Sequence, residues 1–318
     1  MRICFVGAQG HWQYTKGQFE KNEITGVCPG FAGEDISPLL NELKARNITP
    51  KVFENYEEMT DICDVAVVNT RFDLNAQITS GFLKKNIYVF SEKPLATTIE
   101  QLNILREAQE NSKAFVCAML GIRYSGWFLT LKKSLENLGE VRIINAQKSY
   151  KLGSRPGFYK NRETFGGIIP WVAIHAIDWI YSIANEELEI ISALSDNSYN
   201  YGNGDLETTS ICQFKTKSGI LASVSTDYFR PQSADTHDDD RVRVVCTKGI
   251  AEYQSGKVNI IDKNGTRCLD LLPDEDVFGL FLERIRGKEI GVTPDESFYI
   301  TEVALLAREM ADQQNKSE

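Results

Sequence analysis

The 318-residue chain predicts an α/β protein in two parts: a doubly wound parallel sheet over residues 1–120, then an α+β region over 121–318 on an open, mainly antiparallel sheet. Three observations predict it. Strand-length apolar runs alternate with helix-period stretches through the first 120 residues, which implies right-handed crossovers between parallel strands. After Glu140, strand runs follow one another through short turn signals. The length, finally, exceeds what one ordinary core holds.

The first-half strands are read at 3–6, 24–28, 52–53, 65–68, 87–90 and 114–118, each rich in β-branched or aromatic residues. Between the last two, Ile99, Leu102, Leu105 and Ala108 recur at steps of three and mark one helix face. Second-half strands are read at 141–150, 206–214, 220–226, 242–246 and 258–261. The turn signals there are Lys217-Ser218-Gly219, Thr247-Lys248-Gly249, Ser255-Gly256 and Asn264-Gly265, the last a strong hairpin marker. A final helix over 295–312 follows Pro294, packs into the fold through Ile300, Val303, Ala304, Ala307 and Met310, and runs into a polar tail, 313–318.

Composition narrows the function classes. With 42% hydrophobic and 25% charged residues and a mean hydropathy of −0.27, the chain reads as water-soluble. No run of eighteen apolar residues occurs, and Met1-Arg2-Ile3-Cys4 enters a strand with no signal-peptide pattern, so a cytoplasmic protein without a membrane partner is expected. A net charge of −9 and a pI near 5.1 argue against nucleic acid as partner. The seven cysteines show no two- to four-residue ligand spacing and read as reduced core residues. Asp235-Thr236-His237-Asp238-Asp239-Asp240 is a charge run without coordination spacing; it reads as a solvated loop bordering the substrate mouth, and no metal is expected.

Three segments carry chemistry. The turn Gly7-Ala8-Gln9-Gly10-His11-Trp12 follows the first strand, where dinucleotide folds want Gly-x-Gly-x-x-Gly. Only the first glycine is in register, and 26–30 offers no carboxylate to a ribose hydroxyl, so NAD and NADP stay open, as does a Gly-rich turn with no ligand. Ser91-Glu92-Lys93-Pro94 follows the strand at 87–90, which delivers Lys93 to the carboxyl rim of the sheet, where ligands bind. The third segment opens with Gly166-Gly167 and Pro170, a helix entrance, and places Trp171, His175 and Asp178 at i, i+4 and i+7 on one face. An imidazole and a carboxylate among Ile and Val are costly unless paired or used. A satisfied core histidine is the plain reading, and Glu92-Lys93-Pro94 in the same chain favours a role in chemistry.

On these segments the chain resembles the glucose-fructose oxidoreductase / inositol dehydrogenase / MocA family. The matching stretches are Tyr56-Glu57-Glu58, Asn69-Thr70, Ser91-Glu92-Lys93-Pro94, Arg123-Tyr124, Gly139-Glu140-Val141, Thr247-Lys248-Gly249 and the terminal helix. The resemblance implies a Rossmann-type dinucleotide-binding domain over 1–120 and a substrate-binding and oligomerisation domain over 121–318. It further implies an NAD(P)-dependent enzyme acting on CH–OH groups of sugars or polyols, and a homodimer or homotetramer through the second sheet. Two departures stand out: Trp171 holds the first place of the Asp-x-x-x-His-x-x-Asp pattern, and Asn75 stands where many relatives have His.

Carried over residue by residue, the resemblance assigns Gly7, Ala8, Gln9, Gly10, His11, Trp12, Asn69, Thr70, Glu92, Lys93 and Pro94 to NAD or NADP. Lys93, His175 and Asp178 become the catalytic set, and Arg123, Tyr159, Trp171 and His175 the substrate contacts. Hydride transfer from a carbinol leaves a hydroxyl proton, which an amine or imidazole tuned towards neutrality takes best. Lys93 beside a cationic nicotinamide is expected to have a lowered pKa, with His175 sharing the proton and Asp178 orienting the ring. Trp171 adds an apolar wall, and Tyr150, Arg155 and Tyr159 in the long segment before Gly166 are candidates to reach the same cleft, although a loop of this composition is more often surface. Two other readings remain beside hydride transfer to a sugar-like hydroxy or keto compound. A catalytically silent dinucleotide- or sugar-binding relative with a sensing or regulatory role suits the degenerate glycines and Trp171, and in redox-assisted glycoside hydrolysis or elimination the cofactor is recycled within one turnover.

Overall fold

Six parallel strands make the first sheet of the computed structural model, which describes residues 1–315; the last three residues of the expected polar tail, 316–318, lie outside the described residues. They are β1 (Arg2–Val6), β2 (Glu23–Cys28), β3 (Lys51–Val52), β4 (Val65–Val68), β5 (Tyr88–Ser91) and β6 (Val116–Ala118), in the order β3-β2-β1-β4-β5-β6. The order reverses between β1 and β4, which opens a crevice at the carboxyl ends of those strands. β4 is buried along its whole length, as a strand covered on both faces must be. Around the sheet lie α1 (Ser37–Ala45), α2 (Asn75–Leu83) and α3 (Ile99–Glu110). Thr98 caps α3, its side chain accepting from the Gln101 amide at 3.2 Å, and Leu102, Leu105 and Ala108 form the buried face that their spacing predicts.

The connection after β1 differs from the helix that its context suggests. Trp12–Lys21 is a ten-residue 3₁₀ stretch, anchored by buried Trp12, Thr15 and Phe19. Thr15 and Gly17 lower α-helix propensity, and the threefold winding stacks Trp12 over Thr15, whose hydroxyl donates to the Trp12 carbonyl at 2.7 Å.

The second sheet has eight strands: β7 (Val141–Tyr150), β8 (Glu189–Asp196), β9 (Thr209–Lys215), β10 (Leu221–Asp227), β11 (Asp238–Cys246), β12 (Gly249–Gln254), β13 (Lys257–Asp262) and β14 (Gly265–Leu269). They run β14-β13-β12-β11-β7-β10-β9-β8, with β7 and β10 parallel and the other neighbours antiparallel. Two-residue links join β11 to β12, β12 to β13 and β13 to β14, at three of the expected turn signals. With this sheet go α4 (Gly126–Ser134), a π turn at Ile169–Ala173 and α6 (Ile174–Ala184), which packs on β7 and β10; the short α5 (Arg162–Phe165) precedes the π turn, and its Phe165 ring lies 6.3 Å from Phe72. The helical stretch Arg162–Ala184 is long and apolar enough to cross a membrane by length and composition; 83% of its most apolar window is buried inside the protein.

Two further helices close the chain, α7 (Val277–Ile285) and α8 (Pro294–Asn315). Phe278 and Phe281 of α7 pack on Phe90 of β5 at ring separations of 5.3 and 5.2 Å. By compactness the chain divides into one unit of Met1–Leu120, Glu163–Gly166 and Asp276–Glu302, and a second of Gly121–Arg162, Gly167–Glu275 and the remainder of α8. Both sheets together give the α/β class, parallel then mixed, that the strand pattern predicts.

Candidate cofactor and substrate site

The turn after β1 owes its glycines to neighbouring oxygens. Gly7 has φ +76°, and a Cβ there would lie 2.4 Å from the Asn69 carbonyl oxygen and 2.7 Å from Glu34 Oε1. Gly10 has φ +70°, and a Cβ there would lie 2.0 Å from Glu92 Oε2. Both positions therefore exclude a side chain by conformation and by space. Trp12 sits in the core with Lys16 Nζ 5.2 Å from its ring, filling the room that a third glycine would leave between strand and helix.

Glu92 is the hub of this half. One carboxylate oxygen accepts the His11 amide at 2.5 Å, and the other lies 2.9 Å from His11 Nδ1 and accepts the Lys93 amide at 3.0 Å. A wholly buried carboxylate thus ties the Gly-rich turn to the residue that follows β5. Burial, the largest influence, pushes Glu92 up; His11 and the Lys93 charge outweigh it, and the carboxyl is held below its ordinary value. Lys93 itself is 1% exposed, and its peptide bond to Pro94 is cis. Asn75, the departure from the histidine of many relatives, opens α2 beneath this turn. Its amide donates to the Glu92 carbonyl at 3.2 Å and to the Pro94 carbonyl at 3.1 Å, so it clamps the backbone on both sides of Lys93.

A carboxylate that the sequence pattern missed stands at the same crevice. β2 ends without one, but the chain turns back and Glu34 Oε2 accepts the Gly30 amide at 2.6 Å and the Thr70 hydroxyl at 3.0 Å. Glu34 Oε1 accepts the Ala8 amide of the turn at 3.4 Å. Burial raises its pKa, with those hydrogen bonds pulling the other way. Glu34 lies six residues beyond the strand end, so no spacing rule marks it. Asn69, just after β4, is fully buried, its backbone carbonyl accepts the Gln9 amide at 2.8 Å, and both polar atoms of its side-chain amide lack a partner among the described residues. Buried, unpaired amide atoms beside a tight Gly turn and a carboxylate fit a dinucleotide, which brings amide, hydroxyl and phosphate groups to such positions.

In the second unit His175 and Asp178 lie on α6, directly after the π turn, in place of the uninterrupted helix that the pattern suggests. Pro170 lacks a backbone N–H to donate within this turn, and π turns recur at functional sites. Glu207 fixes the entrance: its Oε2 accepts the Ile168 amide at 2.9 Å and its Oε1 pairs with Arg162. The sequence places Glu207 inside a strand; in the structure β9 begins two residues later, at Thr209. His175 is 1% exposed. Asp178 takes up Arg123, whose Nε donates to both carboxylate oxygens at 3.0 Å and whose Nη2 donates to Oδ1. Arg123, read as a substrate contact, thus forms a buried bidentate pair that pins α6 to the Gly121–Tyr124 turn. Trp171 is buried and meets Tyr159 edge-on at 6.1 Å. The fully buried Lys148 of β7, which no motif marks, pairs with Asp240 at 2.6 Å and lies 5.2 Å from the Trp179 ring. Asp240 belongs to the charge run read as a loop, of which Asp238-Asp239-Asp240 instead opens β11.

A Gly-rich turn on a parallel sheet in this strand order, a lysine held at the end of β5, and a separate mixed sheet define a two-domain dinucleotide-binding protein of the dehydrogenase type. The chain belongs to the GFO/IDH/MocA family: residues 1–119 match the model described as the oxidoreductase family NAD-binding Rossmann fold, and residues 128–252 match the GFO/IDH/MocA C-terminal domain. A solved structure from Thermotoga maritima, an oxidoreductase by designation only, is 45% identical, with a TM-score of 0.95 and 98% of each chain covered. The inositol 2-dehydrogenase of Salmonella typhimurium is 25% identical over 261 residues, 79% of this chain and 72% of that protein. An uncharacterized oxidoreductase of Schizosaccharomyces pombe is 27% identical over 163 residues, 49% of this chain; the match spans 44% of that relative's length.

Proposed function

We propose that the protein is an NAD-dependent oxidoreductase that moves a hydride between the nicotinamide and a sugar- or polyol-like hydroxy or keto compound. The observation that carries this reading is the Glu92 bridge, which joins the dinucleotide turn at His11 to the backbone of Lys93. NAD, when bound, supplies the hydride acceptor or donor. The chain's own part is to hold the proton. Lys93 is the general acid/base at the substrate oxygen, with its backbone fixed by Glu92 and Asn75. Asp178 acts as a positioning residue, since its pair with Arg123 holds the helix that carries His175. Asn69, Thr70 and the residue 7–11 turn line the cofactor crevice. The test is cofactor-linked turnover on a panel of inositols, aldoses and sugar acids; absence of saturable NADH or NADPH binding at millimolar concentration would sink the reading.

Glu34 supports NAD over NADP, because a buried carboxylate at the turn amide repels a ribose 2′-phosphate and accepts from a 2′-hydroxyl. NADH is expected to bind at least about tenfold tighter than NADPH, a difference of roughly 1.4 kcal/mol. Glu34→Gln should bring the two affinities together, as read by fluorescence titration. Equal affinities in the parent protein would end this assignment.

The outer face of the mixed sheet supports self-association in a cytoplasmic enzyme. Leu221 lies beside Ile143 across β10 and β7, and Leu194 beside Ile211 across β8 and β9, all four exposed. Two exposed apolar pairs on one sheet face, set in polar neighbours such as Ser223 and Gln213, suit an isologous contact between two copies. Light scattering is expected to give a dimer or tetramer, and Ile211→Lys should shift it towards monomer; a monomeric parent at high micromolar concentration would remove the proposal.

A further inference from the structure

We propose that the substrate carries an anionic group, a carboxylate or a phosphate, received by Arg155 and Tyr228 in the second unit; this rests on the oxidoreductase reading and names its substrate class. Arg155 lies in the segment between β7 and α5, with its guanidinium carbon 4.8 Å from the Tyr228 ring centre and 5.6 Å from that of Tyr159. Stacking on aromatic faces fixes the plane of the guanidinium while leaving its edge donors available. Nη2 donates to the Lys151 carbonyl at 2.9 Å, and Nε is buried without a partner. Arg123, Arg162 and Arg230 each meet a carboxylate; among the described residues Arg155 meets none.

The surroundings agree. Tyr228 is 2% exposed and its hydroxyl has no hydrogen-bond partner among the described residues, an arrangement that is costly until a ligand oxygen supplies one. Nearby, Lys148 is neutralised by Asp240, and Lys151 Nζ donates to the Ala234 carbonyl, which leaves its charge uncompensated beside that of Arg155. His237 stacks on Tyr150 at 5.2 Å; burial first, then the Arg155 charge, hold it below its ordinary value against the pull of Asp238. The cluster also adjoins the candidate chemistry, because Tyr159 packs on Trp171, four residues before His175. A guanidinium edge with a phenol beside it matches the oxygens of a planar carboxylate, and equally those of a phosphate.

The test is binding of paired sugars to the full chain in the presence of NADH at constant ionic strength, by calorimetry. The pairs are D-glucose with D-glucuronate, D-galactose with D-galacturonate, and D-glucose with D-glucose 6-phosphate. In at least one pair the anionic member is expected to bind about tenfold tighter or more. Arg155→Met should bring that ratio close to one, and Tyr228→Phe should lower it severalfold. Arg155→Lys keeps the charge and loses the fork; a reduced advantage is expected there, and it serves if Arg155→Met fails to fold. An advantage confined to the uronates identifies a carboxylate, and one confined to the phosphate identifies a phosphoryl group. Equal binding within every pair, or an advantage that survives loss of Arg155, overturns the proposal. The NADH titration of the same protein is read separately: saturable NADH with no anion preference removes this subsite alone, and no NADH binding removes the oxidoreductase reading.

Discussion

Lys93→Ala is expected to lower turnover by about 10²–10⁴ while NADH binds much as before, the pattern that follows removal of a general acid/base. The size follows from the proposed role, in which the amine would take the carbinol proton in the hydride-transfer step, a part that water fills poorly. Affinity should change little because the turn contacts run through Glu92, whose hydrogen bonds to the His11 and Lys93 amides use the backbone and survive the substitution. Lys93 also helps hold Glu92 in its charged form, so some loosening of the turn is expected. Lys93→Met, which keeps most of the volume, controls for the cavity left in so buried a place. The readout is NADH formation at saturating cofactor, beside a thermal melt and an NADH titration for each variant. Full turnover in Lys93→Ala would remove the lysine from the mechanism.

Asp178→Ala should destabilise the second unit by about 3–5 kcal/mol, because Arg123 is then left buried without its counter-charge. The bidentate contact satisfies the guanidinium inside the protein, and nothing in water can replace it without opening the packing of α6. Removing both partners is a different matter. A double Arg123→Leu, Asp178→Leu variant leaves no orphan charge and is expected to recover most of the loss, as apolar replacements of buried pairs do. Urea unfolding followed by tryptophan fluorescence in a Trp12→Phe background reports this unit, since Trp127, Trp171 and Trp179 lie in it and Trp12 lies in the other. A single-variant loss below about 1 kcal/mol would show that the pair is dispensable for the fold. In the surviving folded fraction turnover should fall too, because the helix carrying His175 loses its tether.

Much of the scaffold was legible because its signals are local. Periodicity separates the buried parallel strands from the later hairpins, and Glu92-Lys93-Pro94 announces its own position by following an apolar strand. Three strands escaped, two of them with one neighbour only; the third, β12, is paired on both sides but is only six residues long, between two-residue links. β14 lies at a sheet edge with Gly265, Thr266, Arg267 and Cys268 exposed, so it carries no apolar alternation, and β8 at the opposite edge breaks its register at Ile190/Ser192. The 3₁₀ winding after β1 and the π turn before α6 escaped for a related reason: both depend on which large side chains find room in the core, not on the order of residues alone.

The sequence by itself determined the parallel-then-mixed architecture, the Gly-rich turn after β1 and the delivery of Lys93 to the rim of the sheet. These follow from residues near one another in the chain. Partnership was decided by tertiary structure. Glu34 reaches the turn from six residues past β2, Glu92 closes on His11 across 81 positions, and Asp178 takes Arg123 across 55. In each case a buried charge had to find an opposite charge or a set of amide donors, and the one available was supplied by the folding of distant segments onto a common surface.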